Sequence, residues 1–256
     1  MWTAGTGPPV LLLHGISADH TEWDAVARGL ARDHRVLLPD LLGRGASVVD
    51  AAAELSLTAE VDRLVTLLAT LGASRPLVGG HSHGASLGLA LADRMELAGL
   101  VLASPVTPWT KRPRVLDLLR VPVVRRAVEP ALRTCRRPLT RYILTRRVYG
   151  DHRPHIGEAV RRYAEPYAEP SRARALLRVF RDWQPDELAR LERPAGLRIA
   201  VVTGGADRRV APDDAIRWAE RLGASCTVLP GAGHGVTEEE PARVEAVLRD
   251  VERTAP

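Results

Sequence analysis

The pentapeptide Gly80-His81-Ser82-His83-Gly84 places a serine between glycines two positions before and two positions after it. An apolar run from Leu77 precedes it and a helical stretch from Ser86 follows, so the serine falls on a strand-turn-helix corner. Such a corner lifts a hydroxyl clear of the backbone, while a side chain at either glycine would collide with chain passing on both sides. A serine hydroxyl is a weak nucleophile at neutral pH until a base takes its proton, and the base in turn needs an orienting acid. His234, in Pro230-Gly231-Ala232-Gly233-His234-Gly235, is the candidate base. Asp207, in Gly204-Gly205-Ala206-Asp207, is the candidate acid. Asp213 and Asp214 are the alternatives, but both follow Pro212 at the start of a helix, where they suit N-capping better.

The elements that must position these residues follow from hydrophobic period. Short β-type runs are expected at Val10 to Leu13, Val36 to Leu38, Leu77 to Gly79, Gly99 to Leu102, Ile199 to Val202 and Cys226 to Leu229. Helical stretches lie between them: Thr21 to Asp33, Thr58 to Leu71, Ser86 to Met95, Asp213 to Leu222 and Pro241 to Arg253. Val61, Leu64, Val65 and Leu68 form the i, i+3, i+4 stripe of a helix laid on a sheet. This alternation predicts an α/β fold with a mostly parallel, doubly wound sheet. It stops at Ser104 and resumes near Leu197. The intervening Arg- and Pro-rich stretch offers only helices, around Arg114 to Leu119, Val123 to Arg133, Leu139 to Val148, Ile156 to Tyr163 and Arg172 to Asp182. Residues 1–105 and 190–256 are therefore expected to form the core, and 106–189 a helical cap or lid over the carboxyl ends of the strands, where open α/β sheets bind ligands.

With these pieces in place, the sequence resembles the α/β-hydrolase fold family, in particular its small lidded serine hydrolases. The order Ser82, Asp207, His234 is the order found there. Further matches are His14-Gly15 after the first strand, Trp23 in the next helix, Asp40-Leu41-Leu42-Gly43-Arg44-Gly45-Ala46-Ser47 after the second strand, and Gly84 with Gly88 in the elbow helix. The resemblance implies that the backbone N–H groups of Ile16 and His83 form an oxyanion hole. It implies that His14 fixes the oxyanion loop, that Asp40 and Arg44 build their own loop, and that His83 contributes chiefly its N–H. His14 and Trp109 are candidate substrate contacts. The implied chemistry is cleavage of a small-molecule carboxylic ester, lactone or thioester through an acyl-serine, with no cofactor and no metal. A serine at the elbow excludes the alkyl-enzyme chemistry of relatives that carry aspartate there. Non-hydrolytic acyl transfer or cyclisation, and ligand binding with a vestigial triad, are the alternatives.

Family members usually have a hairpin or more before the strand that ends in His-Gly. Here Thr3 to Pro9 are expected to supply little more than the end of one strand, so that the sheet lacks its first strand or the start is truncated; an open edge makes a homodimer a candidate. Net charge is +5, but residues 106–182 carry +12 and the rest −7. Nearly all of the excess is arginine, with Lys111 the single lysine. The basic cap could meet an anionic carrier protein, coenzyme A or a phospholipid surface. No recognition motif accompanies the charge, so nucleic acid is not expected as a partner. Cys135 and Cys226 show no metal-ligand or redox spacing, and no run approaches the roughly 20 apolar residues of a membrane span. A cytoplasmic protein, not integral to a membrane, is the expectation. Seven of the ten aromatics fall in the cap or its hinges, where helix packing is expected to use most and a pocket some.

Overall fold

The computed structural model describes residues 1–50, 52–151 and 155–253; positions 152–154 of the expected cap and 254–256 of the expected core lie outside them. The strands are β1 (Trp2–Ala4), β2 (Pro9–Leu13), β3 (Arg35–Leu38), β4 (Leu77–His81), β5 (Gly99–Ala103), β6 (Ile199–Gly204) and β7 (Ser225–Leu229). They form one sheet in the order β1-β3-β2-β4-β5-β6-β7, parallel throughout except for β1 against β3. β4 and β5 are buried along their whole length, which explains why they read as continuous apolar runs rather than alternating ones. Before Val10 the chain supplies one short strand, so of the two readings the sheet that lacks its first strand is corrected: Trp2, Thr3 and Ala4 pair antiparallel with Leu38, Leu37 and Val36. Three residues are too few for alternation to be legible, and the pairing is supplied by β3.

The helices are α1 (Asp24–Leu30), α2 (Leu57–Thr70), α3 (His83–Ala92), α4 (Pro122–Thr134), α5 (Arg136–Ile143), α6 (Ile156–Ala164), α7 (Pro170–Asp182), α8 (Pro212–Arg221), α9 (Val236–Glu239) and α10 (Pro241–Arg253). Successive strand side chains point to opposite faces, and the core divides accordingly. Leu11, Leu13, Leu37, Val78, Leu100, Leu102 and Val201 pack with Val61, Leu64 and Leu68 of α2, Leu87 and Leu91 of α3 and Trp218 of α8. Val10, Leu12, Val36, Leu38, Leu77, Val101 and Val202 pack on the other face with Val26 and Leu30 of α1 and Val244, Leu248 and Val251 of α10. Each fully buried aliphatic side chain of this kind stabilises the fold by about 1.5–3 kcal/mol before ordering entropy is charged against it.

Two helix boundaries differ from those the sequence predicts. The stretch expected at Thr21 to Asp33 divides into a 3-10 turn, His20–Trp23, and α1. Asp19 caps the turn by accepting the Thr21 N–H at 3.0 Å, and the Asp33 and His34 N–H groups close on the Leu30 carbonyl to end α1 early. α3 starts at His83, three residues before Ser86, because the corner at Ser82 leads straight into it. Between β5 and β6 the described chain is helical, as α4 to α7 with short 3-10 turns and a π-helical turn, Leu144–Val148. Cys135 and Cys226 are unpaired, and no helix among the described residues is long and apolar enough to cross a membrane.

Candidate active site

The tips of β2, β4 and β5 are in register, with Gly80 opposite Leu13 on one side and Leu102 on the other. Ser82 follows at φ 53° and ψ −113°, a left-handed conformation that costs a residue with a Cβ about 1–3 kcal/mol. Its N–H donates to the Ala103 carbonyl at 2.9 Å and its carbonyl accepts the Ala85 N–H at 3.1 Å, which pins the corner from both sides. A Cβ at Gly80 would lie 2.3 Å from the Gly84 carbonyl oxygen, and one at Gly84 2.1 Å from that of Leu13. Both glycines are therefore required by the backbone that encloses the turn.

Ser82, Asp207 and His234 are brought together from the ends of β4, β6 and β7. The His234 Nε2 lies 3.0 Å from the Ser82 Oγ, and its Nδ1 lies 2.8 Å from the Asp207 Oδ2. The other Asp207 oxygen accepts the N–H groups of Arg209 at 2.7 Å and Val210 at 3.0 Å. Burial works to raise the Asp207 carboxyl, but His234 and those N–H groups outweigh it and hold it below the usual carboxylate range. Asp213 and Asp214 lie in the first turn of α8, exposed and half-buried, and make no contact with His234.

The loop from His14 to Ile16 is fixed at each residue. The His14 Nδ1 faces the Gly15 carbonyl at 2.8 Å while its Nε2 accepts the Leu41 N–H at 3.0 Å, which defines a neutral imidazole with its proton on Nδ1. Complete burial lowers its pKa in the same sense. The Gly15 N–H donates to the Glu22 Oε2 at 2.8 Å, and the Arg44 Nε donates to the Ile16 carbonyl at 3.3 Å. The N–H groups of Ile16 and His83 have no hydrogen-bond partner among the described residues, and both residues line a cavity with Ser82. The His83 side chain is held at 2.9 Å by Glu60, which also ion-pairs with Arg44 in the interior.

Two expected substrate contacts are corrected. His14 is fully buried and spends both ring nitrogens on the loop. Trp109 turns away from the Ser82 cavities: its ring meets Trp218 edge-on at 6.0 Å, beneath the Arg217 guanidinium at 3.9 Å, so helix packing claims it. Instead two cavities meet at Ser82 and His234. One of about 160 Å³ is mainly apolar, lined by Leu132, Leu139, Ile143, Leu144, Tyr163, Tyr167, Leu176 and Phe180 of the helical insertion. The other, of about 270 Å³, runs past Ile16, His83, Val106, Thr110 and Trp183.

Sequence reasoning missed a charged pair behind the histidine. Glu22 and His81 are buried, 3.0 Å apart at Oε1 and Nδ1, and the His81 Nε2 faces the His234 carbonyl at 2.8 Å. A carboxylate beside one ring nitrogen and a carbonyl beside the other favour the protonated form of His81. Burial opposes this charge, but Glu22 and the His234 carbonyl raise its pKa overall. The only signal in the sequence was an acid, Glu22, directly before the buried Trp23. A second clamp comes from the insertion, where the Val148 carbonyl accepts the His234 N–H at 2.6 Å and Tyr149 donates to Glu238 at 2.7 Å.

These surroundings set a pH dependence. Burial pushes the His234 imidazole below its ordinary value near 6.5; Asp207 opposes this, and the charges on His81 and Arg209 reinforce it. A base must be neutral to accept a serine proton, so activity that depends on His234 is expected above the depressed pKa and to be lost only as pH falls through it. The acid limb of kcat/KM on a neutral phenyl ester should therefore have its midpoint below about 6.5. A midpoint above the ordinary histidine value would contradict the burial of this imidazole.

A model of the alpha/beta hydrolase family matches residues 10–247. An uncharacterized protein of Mycobacterium tuberculosis is 28% identical over 99% of this chain and 78% of its own length. Among solved structures, an alpha/beta hydrolase fold protein from Burkholderia ambifaria has a TM-score of 0.82 at 27% identity, covering 97% of this chain and 92% of that one. A thermophilic esterase from Thermogutta terrifontis gives 0.80 at 28% identity, covering 99% and 92%. A meta-cleavage product hydrolase from Pseudomonas fluorescens gives 0.79 at 19% identity over 100% and 94%, a likeness of fold.

Proposed function

The chain belongs to the alpha/beta hydrolase family, and on that basis we propose that it is a serine hydrolase that cleaves a carboxylic ester, lactone or thioester through an acyl-serine. The observation that carries this reading is the continuous relay from the Asp207 Oδ2 through both nitrogens of His234 to the Ser82 Oγ, at 2.8 and 3.0 Å. The relay opens into two cavities large enough together for a small organic ester.

In the proposed mechanism the Ser82 Oγ attacks the scissile carbonyl carbon as His234 Nε2 takes its proton. The carbonyl oxygen becomes an oxyanion, which the Ile16 and His83 N–H groups stabilise; donors of this kind contribute about 3 kcal/mol each. Asp207 holds His234 with its proton on Nδ1 and balances the imidazolium that forms. His234 then gives the proton on Nε2 to the leaving group, the carbon–oxygen or carbon–sulfur bond breaks, and the acyl-serine remains. Water, deprotonated by the same nitrogen, releases the acid and regenerates the serine. The helical insertion acts as a cap whose apolar side chains bind the substrate and exclude bulk water from the acyl-enzyme.

A fluorophosphonate tests the reading without presuming a substrate, because its phosphorus reacts only with an activated hydroxyl. The expected result is a single phosphonyl adduct on intact protein, located by peptide mass at Ser82 and blocked by replacing His234 with alanine. An adduct at another residue, or none with the cap open to small phosphonates, would remove Ser82 as the nucleophile.

A further inference from the structure

The cap's excess of arginine is not spread evenly between paired and unpaired groups. Arg136 and Arg137 share Glu165, Arg162 pairs with Glu238, Arg133 and Arg174 with Glu129, and Arg181 with Asp182. Arg112 and Arg178 are further engaged by backbone carbonyls. Several other insertion arginines, among them Arg126, Arg141 and Arg146, have no such partner among the described residues, and Lys111 and Arg147 of the insertion with Arg209 of the core are set apart by their position. None of the three has a hydrogen-bond acceptor or carboxylate partner for its side chain among the described residues, and all three line the 270 Å³ cavity that ends at Ser82 and His234. That cavity has no carboxylate in its lining. The cavity on the other side of Ser82 is mainly apolar, and the acids that border it, Glu22 and Glu238, are already paired.

Unpaired like charges that converge on a cavity repel one another, and they are stabilised when an anion enters between them. Three cations and no carboxylate line the 270 Å³ cavity, whereas the cavity opposite is mainly apolar. We propose that Lys111, Arg147 and Arg209 form an anion subsite, so that the substrate carries a carboxylate or phosphate on one side of the scissile carbonyl and an apolar group on the other. This inference rests on the serine-hydrolase reading of the same site and narrows its substrate class. Arg209 borders both cavities, which sets the anionic group close to the reacting carbonyl rather than at the far rim.

Three esters of one scaffold separate the possibilities: phenyl butyrate, 4-butyryloxybenzoate and 4-butyryloxyphenyl phosphate, with monophenyl glutarate placing the charge on the acyl side instead. At least one anionic ester should exceed phenyl butyrate in kcat/KM by about tenfold or more, the advantage of one well-placed charged contact. The preferred ester identifies carboxylate or phosphate and the side of the carbonyl. The advantage should shrink as ionic strength rises, since the cations are solvent-accessible. In the Lys111→Gln, Arg147→Gln double variant the ratio of anionic to neutral ester should fall severalfold, and Lys111→Glu with Arg147→Glu should turn it below one. Both positions are exposed, so these variants are expected to fold; an unchanged melting temperature checks this. Phenyl butyrate hydrolysed as fast as every anionic ester, or a preference untouched by the double variants, would overturn the subsite and leave the serine-hydrolase reading standing. No hydrolysis of any ester together with no fluorophosphonate adduct would overturn both.

Discussion

Ser82→Ala is expected to lower kcat on a phenyl ester by about 10⁵–10⁶-fold while leaving the fold intact. The size follows from the relay: without the Oγ, His234 has no hydroxyl to deprotonate, and what remains is the oxyanion site and binding, which contribute roughly 10³–10⁴ over water. The same position makes a second, independent forecast. Ser82 sits at φ 53°, ψ −113°, and alanine inherits that strain while glycine relieves it. Both replacements lose the same hydrogen bond to His234, so the comparison isolates the backbone. Glycine's larger unfolded-state entropy takes back about 0.5–1 kcal/mol of the relief. The glycine variant should therefore be more stable than the alanine variant by about 1 kcal/mol, or about 2–4 °C in melting temperature for a chain of this size. Equal melting temperatures would mean that the elbow stores no strain, and hydrolysis by the alanine variant above a hundredth of the wild-type rate would assign the nucleophile elsewhere.

The reach of the sequence can be judged residue by residue. The strands at Val10, Val36, Leu77, Gly99 and Ile199 are legible because parallel strands buried on both faces need continuous apolar runs, and the edge strand at Cys226 because its short β-type run is set off by Gly223 and Pro230. β1 is not legible, since its pairing depends on β3 and not on its own three residues. The proposed nucleophile, base and acid stand out because each lies at a strand end among glycines that tight turns require. Glu22, His81 and the Val148 carbonyl do not, because their contacts join loops 59 to 153 residues apart or run through backbone atoms common to every residue. Trp109 misleads for a related reason: an aromatic in the insertion can face the cavity or the core, and only its neighbours Trp218 and Arg217 decide. The +12 of the insertion was likewise visible as a sum, but which cations stay unpaired depends on where Glu129, Glu165 and Glu238 fall in three dimensions.

Asp207→Asn is expected to lower kcat by about 10⁴-fold with little change in stability. Asparagine has the shape of aspartate, and its carbonyl oxygen can keep the N–H bonds of Arg209 and Val210. Its NH₂ group then faces the His234 Nδ1, which must accept rather than donate. The single proton of the neutral imidazole moves to Nε2, the nitrogen that faces the Ser82 Oγ, and that nitrogen can no longer take the serine proton. The loss should fall on kcat and spare KM for a neutral ester, because Asp207 lines neither cavity at Ser82. The pH profile gives a readout that a merely structural role would not move. Asp207 is the chief charge holding the His234 pKa up against burial, so its neutralisation should carry the acid limb to still lower pH as activity drops. Asp213→Asn, in the exposed first turn of α8, should change kcat by less than about twofold, which separates the two positions. A loss smaller than tenfold at Asp207, or an acid limb that moves upward, would mean that another group orients the imidazole.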